Sequence, residues 1–111
     1  MLFPITVDIA TEVIRVKVSA ERADEFVNGR YAVDSFMKTL QGFVGTELLQ
    51  CSGEDWLILI RWADKAAVLA AQEVTASADV ITHWLSTTSS FVSFETAYVK
   101  YLNVYSATDP R

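Results

Sequence analysis

The chain has 111 residues, with 9 Lys and Arg against 14 Asp and Glu, a formal net charge of −5 with its single histidine neutral. At this length it reads as one domain over residues 1–111, and its 51% of hydrophobic residues suffices for a core without disulfides or a structural metal. The acidic balance argues against a nucleic-acid partner, whose phosphates are held largely by Lys and Arg, and against an anionic membrane surface. No apolar run approaches the roughly 20 residues of a bilayer span. The opening Met1-Leu2-Phe3-Pro4 lacks the basic start of a secretion signal and Asp8 follows closely, so a cytoplasmic protein is expected. Cys51 is the sole cysteine and His83 the sole histidine, which leaves no intrachain disulfide and little for metal chemistry.

Glu12 to Ser19 alternates, with Ile14, Val16 and Val18 on one side and Arg15 and Lys17 on the other, the period of a first strand. From Ala23 to Leu40 the period becomes 3.6, with Phe26, Val33, Met37 and Leu40 on one helical face and Gly42 placed to end the helix. A second strand runs from Phe43 to about Cys51. The turn cluster Ser52-Gly53-Glu54-Asp55 joins it to a third strand, Trp56 to Trp62, as an antiparallel hairpin. That third strand is apolar on both faces except at Arg61, so both faces need cover, which points to a second copy. Asp64 is a plausible N-cap for a helix from Lys65 to about Glu73. After a break at Val74-Thr75-Ala76-Ser77, a helical pattern resumes from Ala78 to Leu85. A polar connection, Thr87 to Ser90, leads into a last strand from Phe91 to about Tyr105, long enough to reach a partner subunit.

The order strand, helix, strand, strand, helix, strand predicts an α+β, ferredoxin-like βαββαβ fold with a four-stranded antiparallel sheet and its helices on one face. Such a fold hosts many functions, so side chains must choose among them. Gly42-Phe43-Val44-Gly45 is followed by Thr46 and Glu47, where an RNA-binding sheet would place basic or aromatic residues. A metal chaperone of this fold would need paired cysteines.

Four features together resemble the antibiotic biosynthesis monooxygenase (ABM) family of dimeric α/β barrels, over roughly Glu12 to Lys100. They are the strand Val13 to Val18, the Gly42-Phe43-Val44-Gly45 entry to the second strand, the hairpin into Leu59-Ile60-Arg61-Trp62, and the helix start at Asp64. The resemblance implies a homodimer with two sheets packed face to face. It also implies oxidation of a small electron-rich aromatic substrate (a quinol, an anthrone or a polyketide-like compound) by molecular oxygen, with neither flavin nor metal. Such chemistry requires a dry apolar pocket and one or two polar groups that help deprotonate the substrate. Some family enzymes use an asparagine at the position of Ile58, so the alternative expectation is a non-catalytic dimeric module that binds a small aromatic ligand. A haem-degrading branch uses an asparagine on the first strand, absent here, and a histidine near the position of Gln72. Haem binding through His83 is therefore the weaker third reading.

His83 is the candidate catalytic base, since an unperturbed imidazole titrates near ~6.5. Trp62, carried over from the family pattern, and Trp56 and Trp84 are candidate substrate-binding walls, because tryptophan offers a broad flat surface and one N–H donor. Tyr31 and Tyr98 are candidate donors to a developing oxyanion. Each of these aromatic residues also suits ordinary core or interface packing. Arg61 is expected to form an ion pair at the dimer interface, with Glu47 or Glu95 as partner, and Cys51 is read as a hydrophobic-class residue without a base to activate it.

Overall fold

The side chains of β1 (Ala10–Lys17) alternate between buried and outward-facing positions, as expected for a strand with one covered face. The computed structural model describes residues 9–100 of the chain. A short 3₁₀ turn at Ala20–Arg22 leads into α1 (Ala23–Met37), which buries Phe26, Val33 and Met37. Three residues fewer than the apolar period suggested are helical. The Thr39 hydroxyl donates to the Phe36 carbonyl at 2.6 Å and Leu40 N–H donates to Met37 O, so the chain closes into turns before Leu40 can join the helix.

Gly42 then adopts φ +84°, and a Cβ there would stand 2.5 Å from the Cβ of Ala67. Both the left-handed backbone and the close approach of Ala67 require glycine at this position. Strands β2 (Phe43–Gln50) and β3 (Asp55–Trp62) form the antiparallel hairpin predicted from the turn cluster. Asp64 caps α2 (Lys65–Thr75), its carboxylate accepting the Ala67 N–H at 2.8 Å. The predicted break separates α2 from a distinct α3 (Asp79–Leu85). The last strand, β4 (Ser90–Tyr98), ends earlier than the sequence pattern suggested, and the expected extension from Tyr101 to Tyr105 lies outside the described residues.

The sheet order is β2-β3-β1-β4, with every neighbouring pair antiparallel. This is the ferredoxin-like arrangement expected from the element order. Ile14, Val16, Ile58, Ile60 and Trp62 face the helices and pack with Phe26, Val33, Met37, Val68 and Trp84 as the core. Their register places Val13, Leu49, Leu57, Leu59 and Arg61 on the opposite, helix-free face. There Arg61 Nη1 donates to Glu47 Oε1 at 2.7 Å, so this expected ion pair closes within one chain. Among the described residues, no helix is long and apolar enough to cross a membrane.

Candidate functional site

Strand parity places Glu12 on the same face of β1 as Ile14, Val16 and Val18, directed into the layer between sheet and helices. It is only 5% exposed. Its cross-strand neighbours are Ile60 on β3 and Thr96 on β4. The indole N–H of Trp62 donates to Glu12 Oε1 at 2.7 Å, and Gln72 Nε2, from α2, donates to Glu12 Oε2 at 3.2 Å. Gln72 Nε2 also donates to Thr96 Oγ1 at 3.1 Å. Both hydrogens of one amide are therefore used, and β1, β3, β4 and α2 meet in one polar cluster that is buried at Glu12 and Trp62 and half-buried at Gln72 and Thr96. Burial pushes the Glu12 carboxyl above its ordinary value, while the hydrogen bonds from Trp62 and Gln72 pull in the opposite direction without cancelling the rise.

Glu12 forms part of the wall of a cavity of about 230 Å³ between sheet and helices. Among the described residues the remaining wall is almost wholly apolar, including Ile60, Met37, Ile81, Trp84, Phe91 and Phe94, with Thr75 the other polar residue. Phe91 and Phe94, which line the cavity from the edge strand β4, are half exposed. These two phenylalanines are three residues apart, a spacing that normally puts side chains on opposite faces. The register shift opposite Arg15 and Val16 inserts an extra residue between them, so both line the cavity.

A second cavity of about 240 Å³ lies between α1 and α3 and is lined by Arg22, Gly29, His83 and Trp84 among others. Trp84 is the partition between the two spaces. Its ring stacks on Phe26 at 5.1 Å, its indole N–H donates to the Phe26 carbonyl at 2.7 Å, and a Cβ on Gly29 would meet its Cδ1 at 2.7 Å. Gly29 is thus what allows the indole to lie flat against α1. A third and larger space, about 590 Å³, runs along α2 over Gly42, Ala67 and Ala71. Its one charged lining residue among those described, Asp64, is engaged as the α2 cap.

The six candidate residues read from the sequence therefore fall in different places. Trp84 lines the sheet–helix cavity, and Trp62 stands behind it, fully buried, touching Glu12. Trp56 is half-buried and packs edge-on against Phe26. Tyr98 faces α2 at the far end of β4, where Lys65 Nζ lies 5.8 Å from its ring centroid. Tyr31 is 62% exposed on the outer surface of α1, beneath the guanidinium of Arg30. His83 is exposed and borders the second cavity, across Trp84 from Glu12. Sequence reasoning passed over Glu12, although its signal was there: an acidic residue in phase with the inward stripe of a strand.

Among the described residues, no group of three or more His, Cys, Asp or Glu is placed to hold a metal ion. Among the described residues, no imidazole lines the sheet–helix cavity to ligate a haem iron, and His83 borders the other space.

A family model described as antibiotic biosynthesis monooxygenase matches residues 9–82. No curated protein matches the chain. Among solved structures, SnoaB from Streptomyces nogalater, a cofactor-independent oxygenase, is 18% identical, with a TM-score of 0.58 over 92% of this chain and 99% of that one. MupZ from Pseudomonas fluorescens is 11% identical with a TM-score of 0.66, over 86% of this chain and 73% of that one. The NE2512 protein of Nitrosomonas europaea, of unknown function, is 10% identical with a TM-score of 0.65, over 91% and 98% of the two chains. At these identities the likeness is one of fold.

Proposed function

Because the chain belongs to the antibiotic biosynthesis monooxygenase family, we propose that it is a cofactor-independent monooxygenase, acting as a homodimer on a small electron-rich aromatic substrate such as a quinol or an anthrone. The observation that carries this reading is the cavity between sheet and helices, aromatic-walled, apolar and interrupted, among the described residues, by the single carboxylate of Glu12. An apolar enclosure suits an aromatic ring and keeps water from the reacting carbanion. Its volume of about 230 Å³ is below the ~300 Å³ at the lower end of ordinary ligand pockets, which favours a compact substrate.

The chemistry needs no electron carrier, because the substrate supplies the electrons. For an anthrone, loss of a proton from the CH₂ carbon leaves a carbanion that adds to oxygen and gives, after protonation, a hydroperoxide. Removal of the second hydrogen from that carbon breaks the O–O bond, leaving a carbonyl and water. The balance is R₂CH₂ + O₂ → R₂C=O + H₂O.

Oxygen-electrode measurements with anthrone and a panel of quinols test the reading. One equivalent of oxygen should disappear per product formed, at a rate proportional to protein and unaffected by chelator. Stoichiometric ligand binding without oxygen uptake across the panel would instead favour the non-catalytic binding module.

A further inference from the structure

Among the described residues, Glu12 is the single titratable side chain lining the sheet–helix cavity, and the fold has no need of a carboxylate there. Its neighbours Ile14 and Ile60 are core residues, and an apolar side chain would continue their stripe at lower cost, since burying a charge without a cation is unfavourable. Among the described residues, no Lys, Arg or His lines the cavity to offset that charge. What the chain provides instead is two hydrogen-bond donors. The indole N–H of Trp62 can only donate, and the Gln72 nitrogen donates to both Glu12 and Thr96. Donors alone hold the two oxygens, an arrangement made for the anion. The result is a carboxylate held in a fixed position at the wall of an apolar cavity, with lone pairs left over.

We propose that Glu12 is the catalytic base of this site, with Trp62 and Gln72 as the residues that position it. The inference rests on the oxygenase reading for its choice of substrate and goes beyond it by assigning the proton transfers to one residue. Glu12 takes the first proton from the substrate CH₂ carbon and returns it to the peroxide formed when the resulting anion adds to oxygen. It then takes the second proton from the same carbon as the O–O bond breaks, and delivers it to the departing hydroxide as water. No net proton remains on the enzyme, so a buried base with no relay to solvent suffices. His83, exposed and across Trp84 from this carboxylate, takes no part.

Around Glu12 the facing groups are Ile60 and Trp62 from β3, Thr96 from β4, Gln72 from α2, Val33 and Met37 from α1, and Trp84 from α3. None of them titrates in the working range. Activity should therefore rise with pH along a single ionisation lying above the ordinary carboxylate range, because burial raises the Glu12 value.

Hydrogen exchange into anthrone separates the base from the oxygen chemistry. Under strict anaerobiosis in D₂O, the wild-type protein should accelerate loss of the CH₂ proton signal over protein-free buffer. Glu12→Gln, confirmed folded by circular dichroism, should lose that acceleration by at least ~100-fold, the lower end of what a positioned base contributes. Gln72→Leu should retain exchange but move the pH midpoint upward, since it removes a donor to the anion, and Gln72→Asn or Gln72→Glu would not both restore it if an amide donor is required. Exchange at the wild-type rate in Glu12→Gln overturns the assignment, as does a wild type that consumes oxygen with anthrone in air but does not exchange. Glu12-dependent exchange without oxygen uptake in air upholds the base and removes the oxygenase reading. A wild type that does neither removes both.

Discussion

The indole N–H of Trp62 donates to Glu12 Oε1 across 2.7 Å in a fully buried contact, joining one end of β3 to β1 diagonally across the sheet. Trp62→Phe keeps an aromatic ring at this point and removes the donor. The carboxylate would be left with one partner, and stranding a buried acceptor costs about 1–3 kcal/mol, more if charged. The variant should lose stability in urea at pH 7 by at least that amount. The loss should shrink as pH falls, because protonation relieves the unpartnered anion. A loss that does not change with pH would mean that the carboxyl charge has no part in this hydrogen bond.

Glu12→Gln should have the opposite effect on stability. The folded-state value of Glu12 is raised above its unfolded value, so the folded chain binds this proton more tightly than the unfolded one. The stability that the protonated carboxyl contributes is present in full below about pH 4.3, the unfolded value, and is lost as pH rises through the folded value. The amide has no such loss, and the Gln72 amide can turn to present its oxygen to the new NH₂ group. The variant's stability relative to wild type should therefore increase between pH 4 and pH 7 in urea titrations. Parallel curves would show that Glu12 does not change its proton affinity on folding. A residue that weakens the fold at neutral pH and is nevertheless present is one with another use.

The sheet and helices were largely legible because their signals are local. The alternation of β1, the hairpin turn, the Asp64 cap and the break before α3 each depend on residues close in sequence. The site was less legible because its parts are not. Glu12 and Gln72 are 60 residues apart, and only packing of α2 over β1 and β4 brings them together. The phase of α3 was also undetermined from sequence. Trp84 takes the inward position because its flat ring can stack on Phe26 above Gly29, and its neighbour His83 is turned outward as a consequence. Phe91 and Phe94 came to one face through an inserted residue that strand alternation alone does not reveal.

Gly29→Ala tests how firmly Trp84 is held. The added methyl would stand 2.7 Å from Trp84 Cδ1, and the ring has little freedom to give way because Phe26 lies against its face and holds its N–H. Overpacking of this kind costs about 1–3 kcal/mol. Thermal unfolding should register that loss, and near-ultraviolet circular dichroism should change as the indole is displaced. Because Trp84 is a wall of the sheet–helix cavity, anthrone exchange should weaken together with the spectral change. Unchanged stability and spectrum would mean that α1 and α3 separate freely.

The helix-free face of the sheet predicts how the chain associates. Val13, Leu57 and Leu59 lie side by side there, with Leu49 and the Arg61–Glu47 pair at one flank. A half-apolar sheet face without helices is unusual on a monomer, and a second copy related by a two-fold axis would cover it symmetrically. Leu59 sits between Val13 and Glu47 in the cross-strand register. Leu59→Lys places an ammonium beside the Glu47 carboxylate, so the single chain should tolerate it. In a two-fold interface the same substitution buries two like charges near each other, which costs far more than either does in water. Sedimentation equilibrium should give a dimer for wild type and at least ~100-fold weaker association for Leu59→Lys, about 2.7 kcal/mol or more, with an unchanged far-ultraviolet spectrum. A variant that dimerises as tightly as wild type would show that the copies meet through another surface.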